Sequence, residues 1–297
     1  MEGRRPLLLE ALNGLYAGRE GKGSGLERPR SLALGAAPGH VALVGAGPGD
    51  PSLLTRKAIA CLRAADLVLY DALIDDRILR YARHAQRFFV GKRAGRHTLS
   101  QDRINALMIR AARRGRRVVR LKGGDPFVLG RGGEETLALA AAGVRFDVVP
   151  GISSAIAAPA LAGIPVTHRG LASGFLVVSG HDERTFASAM GAVAPNSVTV
   201  VVLMGLARIP ALAARLIEGG WTAETPAAVI VAASTPEQQA WRGQLRDLAD
   251  GPAPLGEAGS PGTIVIGEVV SVADAARFQS CRQGTPDSTE RIYVSRR

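Results

Sequence analysis

From residue 40 onward the chain alternates short apolar runs with helical patterns. Val41–Val44 is an unbroken apolar run ahead of a glycine turn, the pattern of a strand covered on both faces. Pro51–Ala65 carries Leu53, Leu54, Ala58 and Leu62 at helical spacing and predicts a helix. Strands are predicted at Leu67–Tyr70 and Phe88–Val90, with a short helix at Arg77–Arg83 between them. Asp102–Arg114 sets Ile104, Leu107, Met108 and Ala111 on one face, charges on the other, and ends at Gly115. A strand at Val118–Leu121, a helix at Glu134–Ala142 and a strand at Phe146–Val149 follow. Beyond Pro150-Gly151 the rhythm resumes, with helices at Ser154–Ala162 and Ile209–Glu218. Strands are expected there at Phe175–Ser179, Ser197–Met204, Ala227–Ala232 and Thr263–Ile266. This βαβ alternation predicts an α/β protein with mostly parallel sheets and helices on both faces.

The expected organisation is a disordered tail over 1–39, an α/β domain over 40–150, a second over 151–276, and a flexible tail over 277–297. A ligand cleft is expected between the two domains, where small molecules tend to bind. At 297 residues, 46% hydrophobic and 4% aromatic, the composition excludes fibrous and disordered classes. Cys61 and Cys281 are the two cysteines, too few for a disulfide framework, and the histidines show no metal-ligand spacing. No metal is therefore expected, and a reducing, cytoplasmic location is. The run Leu7–Leu9 is broken by Glu10, too short for a secretion signal, and no stretch of about 18 apolar residues predicts a membrane span.

Charge changes the picture more. The formal net charge is 37 − 26 = +11, and Arg87–Arg131 alone holds thirteen Lys/Arg against two Asp, 13 − 2 = +11. Such a zone implies a polyanionic partner. Nucleic acid is one candidate, although only Phe88, Phe89 and Phe127 are available there for base stacking. A small polycarboxylate or phosphorylated substrate is equally compatible.

Several motifs carry chemistry. Gly45-Ala46-Gly47-Pro48-Gly49-Asp50 joins a strand to a helix but lacks the sixth glycine of a dinucleotide fingerprint. Pro48 has no N–H to give a phosphate, and Asp50 competes for the helix N-terminus, so a cationic ligand fits better. In Val118–Glu135 the basic pair Arg120 and Lys122 precedes Gly123-Gly124, the turn Asp125-Pro126, and Arg131 among glycines. Glu134 and Glu135 open the next helix. Asp71 ends a strand at the carboxyl edge and is a base candidate. Gly91–His97 adds Lys92, Arg93, Arg96 and His97, and Thr167–Gly174 places His168 and Arg169 in a loop. There is no Ser-His-Asp set, P-loop or H-E-x-x-H motif.

Taken together, "VGAGPGDPSLLT", "ADLVLYD", "VGKRAGRH", "RVVRLKGGDPFVLGRGGEE", "VVPGISSAIAAPALAGIPVTHRGLAS" and "VVSGH" resemble the tetrapyrrole methylases, in the branch that methylates uroporphyrinogen III. The resemblance spans roughly residues 40–276. It implies two α/β domains, S-adenosylmethionine as methyl donor, S-adenosylhomocysteine as product, and a homodimer. Cofactor contacts carried over are Pro48, Gly123, Gly124, Asp125, Val128, Ser153, Ser154, Met204 and Ala233. Ala233 stands where the family often has glycine, and Ser153-Ser154 where it has Thr-Ala. Asp71, Arg131, Glu134 and Lys92 are the implied catalytic residues, and Arg131, Arg169 and Arg93 the implied substrate contacts. The implied reaction puts methyl groups on C2 and C7 of uroporphyrinogen III, giving precorrin-2 for siroheme or cobalamin synthesis. A sister methylase acting on a later corrin precursor is the alternative. Neither nucleic acid nor membrane is an expected partner, and no fused dehydrogenase/ferrochelatase domain is expected.

Overall fold

β1 (His40–Gly45) is apolar on both faces because helices cover both sides of its sheet. The computed structural model describes residues 39–91, 99–251, 255, 261–276 and 293–294. In this region β2 (Leu67–Tyr70), β3 (Gln86–Phe89), β4 (Arg117–Lys122) and β5 (Arg145–Val149) join β1 in a five-stranded sheet of order β3-β2-β4-β1-β5. All its pairings are parallel, with Val41 level with Val118 and Phe146.

The connecting helices follow from side-chain alternation. α1 (Arg56–Ala64) and α2 (Asp76–Leu79) pack Ala58, Leu62, Ile78 and Leu79 against Val44, Val68 and Val119. α3 (Gln101–Arg113) and α4 (Gly132–Ala141) pack Ile104, Met108 and Leu139 against Val41, Leu43, Leu69 and Val118 on the other face. Each large aliphatic side chain buried in this way contributes about 1.5–3 kcal/mol. The helix expected over Pro51–Ala65 is split. Asp50 accepts from Ser52 N at 2.7 Å and caps a 3₁₀ turn over Pro51–Leu53, and Thr55 then caps α1 by accepting from Ala58 N at 3.1 Å.

The second domain follows α5 (Ser154–Leu161). Its strands are β6 (Phe175–Ser179), β7 (Thr199–Leu203), β8 (Pro226–Val231), β9 (Gln239–Gln244), β10 (Gly262–Ile266) and β11 (Tyr293–Val294), in the order β11-β9-β8-β10-β7-β6. α6 (Glu183–Met190), α7 (Ile209–Glu218) and α8 (Leu245–Asp250) cover one face through Phe186, Leu212, Leu216, Leu245 and Leu248. α5 and α9 (Val270–Ala275) cover the other. Of the nine strand pairings described, six are parallel. The three antiparallel ones, β7–β10, β10–β8 and β8–β9, all fall in this second sheet. α6, β9, α8, α9 and β11 were not anticipated. β9 reads QAWRGQ, too polar to announce a strand, and is held by antiparallel pairing with β8. β11 lies in the expected C-terminal tail and pairs with Trp241 and Arg242 of β9.

Candidate active site

β1 and β4 are neighbours whose connections leave in opposite directions. α1 carries the chain from β1 toward β2 on one face, and α4 carries it from β4 to β5 on the other. The crevice beyond their carboxyl ends is therefore the switch point of the first sheet, where open α/β sheets bind ligands. Its walls are the two glycine turns. Gly124 N donates to Gly47 O at 2.8 Å and Gly47 N to Gly124 O at 3.2 Å. The chains cross so tightly that a Cβ on Gly151 would lie 2.3 Å from Gly124 O, and one on Gly45 2.5 Å from Gly151 N. Asp125 locks the second turn, its Oδ1 accepting from Phe127 N at 2.8 Å and its Oδ2 from Gly151 N at 3.0 Å.

β6, β7 and β8 end on a common edge of the second sheet, and the loop after β8 reaches this crevice. Asp50 N donates to Ser234 Oγ at 2.9 Å, and Gly49 lies against Ser234 and Thr235. The backbone there is unusual. Six non-glycine residues have left-handed φ among those described: Leu129, Arg131, Asn196, Met204, Ala232 and Ser234. All but Asn196 sit in the loops after β4, β7 and β8. Left-handed backbone costs an L-residue roughly 1–2 kcal/mol, and such strain gathers at ligand sites.

Beneath the crevice lies a buried set of charges. Arg120 and Lys122 alternate onto the same face of β4 as Val118 and are nearly inaccessible, as is Glu135 of α4. Arg120 Nε donates to Glu135 Oε1 at 3.0 Å, and its Nη2 to Asp71 Oδ1 and Oδ2 at 2.8 and 3.0 Å. Lys122 Nζ and Gln101 Nε2 also donate to Glu135 Oε1, at 3.2 and 2.9 Å. Burial, reinforced by Arg120, holds the Lys122 ammonium below the usual lysine range, against the pull of Glu135 and Asp71. Burial also works against the Arg120 cation, but Asp71 and Glu135 outweigh it and keep the guanidinium above its ordinary value. This cluster was missed in the sequence, although two cations at i and i+2 of a buried strand must share a face and need an acid.

Of the anticipated site residues, the structure brings Asp71, Gly123, Gly124, Asp125, Val128 and Arg131 to the carboxyl edge of the first sheet. Pro48 lies in the turn beside them. Asp71 is not a free carboxylate, since both of its oxygens are engaged by Arg120. Arg131 and Glu134 form an exposed ion pair, Nε to Oε1 3.0 Å, which raises the guanidinium and lowers the carboxyl from their ordinary values. They line an open depression of about 300 Å³ with Phe127, Leu129 and Gly130. Ser153 caps α5 by accepting from Ala155 N at 3.2 Å, and Ser154 lies close to Gly124. Met204 is exposed and left-handed, and Ala233 O faces Gly49. Arg169 stands exposed in the turn His168–Ala172 and makes no ion pair among the described residues. Lys92 and Arg93 lie outside the described residues.

The Asp50 carboxylate accepts from Ser52 N and caps its own 3₁₀ turn, so it does compete for the donors there, as its place in the sequence implied. One expectation needs correction, since among the described residues much of the basic window lies away from the crevice. Arg113, Arg116 and Arg117 bond Ala142 O, Asp66 O and the Asp66 carboxylate, all at the amino edge, and Arg110 and Arg114 belong to the same helix end. Sequence density hid this because a helix end and the strand that follows it share the edge opposite the ligand.

Two α/β domains meeting through glycine turns at a switch point define a small-ligand enzyme architecture. A family profile described as Tetrapyrrole (Corrin/Porphyrin) Methylases matches residues 40–249, and the chain belongs to that family. It is thus an S-adenosylmethionine-dependent tetrapyrrole C-methyltransferase by family. The chain is 45% identical over 240 residues to a uroporphyrinogen-III C-methyltransferase of Methanocaldococcus jannaschii, covering 80% of this chain and 99% of that one. It is 46% identical over 252 residues to a siroheme synthase of Pseudomonas paraeruginosa, covering 84% of this chain but 54% of that protein's length. Among solved structures it resembles a uroporphyrin-III C-methyltransferase of Thermus thermophilus complexed with S-adenosylhomocysteine. The TM-score is 0.68 at 42% identity, covering 78% of this chain and 94% of that one.

Proposed function

We propose that this chain methylates uroporphyrinogen III at C2 and C7, giving precorrin-2, with S-adenosylmethionine as donor and as a homodimer. The observation that carries the ligand reading is the gathering of left-handed, non-glycine residues on the loops around the crevice. Internal bonds hold that hand, Ala232 N donating to Pro261 O at 2.9 Å and Ser234 N to Gln238 Oε1 at 2.8 Å, so the strain sets the shape of the mouth. Glycines and small side chains leave room for a nucleoside and an amino-acid moiety, so the residues present fit the cofactor. Gly123, Gly124, Asp125, Val128, Ser153, Ser154, Met204, Ala233 and Pro48 would hold it.

When bound, S-adenosylmethionine supplies an electrophilic methyl group on a sulfonium. The chain's own part is positioning. Arg131, with Arg169 and Arg93, would grip the carboxylates of the macrocycle through paired N–H bonds. Glu134 aligns Arg131 for that grip, Phe127 and Leu129 offer the ring apolar contact, and Lys92 is assigned with them as a catalytic residue. Asp71, fixed by Arg120, offers a carboxylate that stabilises the cationic ring left after methylation rather than a freely swinging base, and the ring's proton then passes to solvent. Holding reactants in near-attack geometry supplies about 7–11 kcal/mol of such a barrier.

The test is the mass of the product made from uroporphyrinogen III by the purified chain. A product heavier by two methyl groups supports the reading. An unchanged substrate, with methylation of a later corrin precursor instead, refutes it. Arg131→Ala should lower turnover about 10²-fold, the scale of losing one preorganised charge contact. S-adenosylhomocysteine affinity should be kept.

A further inference from the structure

β4 alternates Val118, Arg120 and Lys122 onto the face covered by α3 and α4, and only Val118 continues the apolar cluster there. Glu135 answers the two cations from a position with 0% exposure. Replacing such a buried ionic set by well-packed aliphatic side chains is often neutral or stabilising, so stability alone does not account for it. What the set does supply is orientation. The Arg120 guanidinium is held by Glu135 at Nε (3.0 Å) and by the carbonyls of Leu69 (3.4 Å) and Leu121 (3.2 Å) at Nη1. That leaves Nη2 facing both oxygens of Asp71, at 2.8 and 3.0 Å. Glu135 directly follows Glu134 and lies one helical turn from Arg131, so a shift of the first turn of α4 moves all three together.

Resting on the substrate reading above, we propose that Glu135 is a positioning residue. Through Arg120 it fixes the Asp71 carboxylate relative to the Arg131–Glu134 pair, so the groups that face the macrocycle share one buried anchor.

Glu135→Gln alone leaves Lys122 without its adjoining carboxylate and risks misfolding, so paired variants carry the test. Glu135→Gln/Lys122→Met and Glu135→Leu/Lys122→Met each remove one anion and one cation, but only the first keeps an acceptor for Arg120 Nε. The glutamine pair should keep turnover of uroporphyrinogen III within about threefold of the parent. The leucine pair should lose about 10–100-fold in kcat. S-adenosylhomocysteine affinity should be unchanged in both, and a crystal structure of the leucine pair should show the Asp71 carboxylate turned from its place. A role limited to charge balance would make the two pairs equal in turnover, which overturns the proposal. Loss of turnover by the glutamine pair overturns it as well, and so does a leucine pair that does not fold while the glutamine pair does. If the parent chain does not methylate uroporphyrinogen III, the substrate reading fails by itself. The crystal structure then decides the positioning role, for which an unmoved Asp71 is the refuting result.

Discussion

Replacing Gly151 by alanine sets a methyl carbon 2.3 Å from Gly124 O, 2.7 Å from Gly45 Cα and 2.8 Å from Gly45 C. Each contact is about 1 Å inside ordinary packing distance, where repulsion rises steeply. None of the three atoms belongs to a side chain, so no rotamer change relieves the clash. The backbone must part where Ala46 N donates to Lys122 O at 2.8 Å and Gly124 N to Gly47 O at 2.8 Å. Overpacking costs about 1–3 kcal/mol, and each backbone hydrogen bond lost adds roughly 1 kcal/mol, so about 3–5 kcal/mol is expected in all. For a chain of this size that lowers Tm by about 5–10 °C. Gly133→Ala is the matched control, because nothing lies within 4 Å of a Cβ there. In the first turn of α4 it should be neutral or stabilising by about 0.5–1 kcal/mol. Differential scanning calorimetry of the two variants provides the measurement. A Tm for Gly151→Ala within about 2 °C of the parent, about 1 kcal/mol or less by that scaling, would refute the argument from chain crossing.

Thr55→Ala removes the cap of α1 and should cost about 1 kcal/mol, read as a lowered midpoint in urea at unchanged slope. Asp66 and Asp75 are held below the usual aspartate range, chiefly by side-chain hydrogen bonds from Arg117 and Arg77. Their contribution is therefore whole above a pH of about 4 and fades as pH falls through the lowered folded values. The Asp66→Asn variant should accordingly show a flatter acid limb than the parent in a pH series of Tm, and a limb of equal slope would count against the pairing.

Much of the first sheet was legible because its central strands β1, β2 and β4 are buried on both faces and its helices carry strong periodicity. Ile209–Glu218 matched α7 at both ends. The second sheet was less legible where pairing rather than pattern makes the strand, as in β9. At the site, glycine spacing pointed to the crevice, but charge counting misled. Sequence places Arg110–Arg117 beside Arg120, while the sheet puts them at opposite ends of β4. The Asp71–Arg120–Glu135 link needed three separate elements to meet, and no local pattern reports that. The period-2 rule applied to Arg120 and Lys122 would have found half of it.

The left-handed residues around the mouth have a bearing on how such a protein changes over time. A turn of that hand fixes where peptide groups point, and every amino acid but proline carries the same peptide groups. Exchanges at Met204 or Ala232 therefore alter what the fold costs more than where its backbone points, whereas at Ser234 they also remove the hydroxyl that accepts from Asp50 N at 2.9 Å. Glycine would be the cheapest occupant of the first two. Of the three, Ser234 is the position where the sequence has least freedom, because its side chain ties the loop after β8 to the turn after β1.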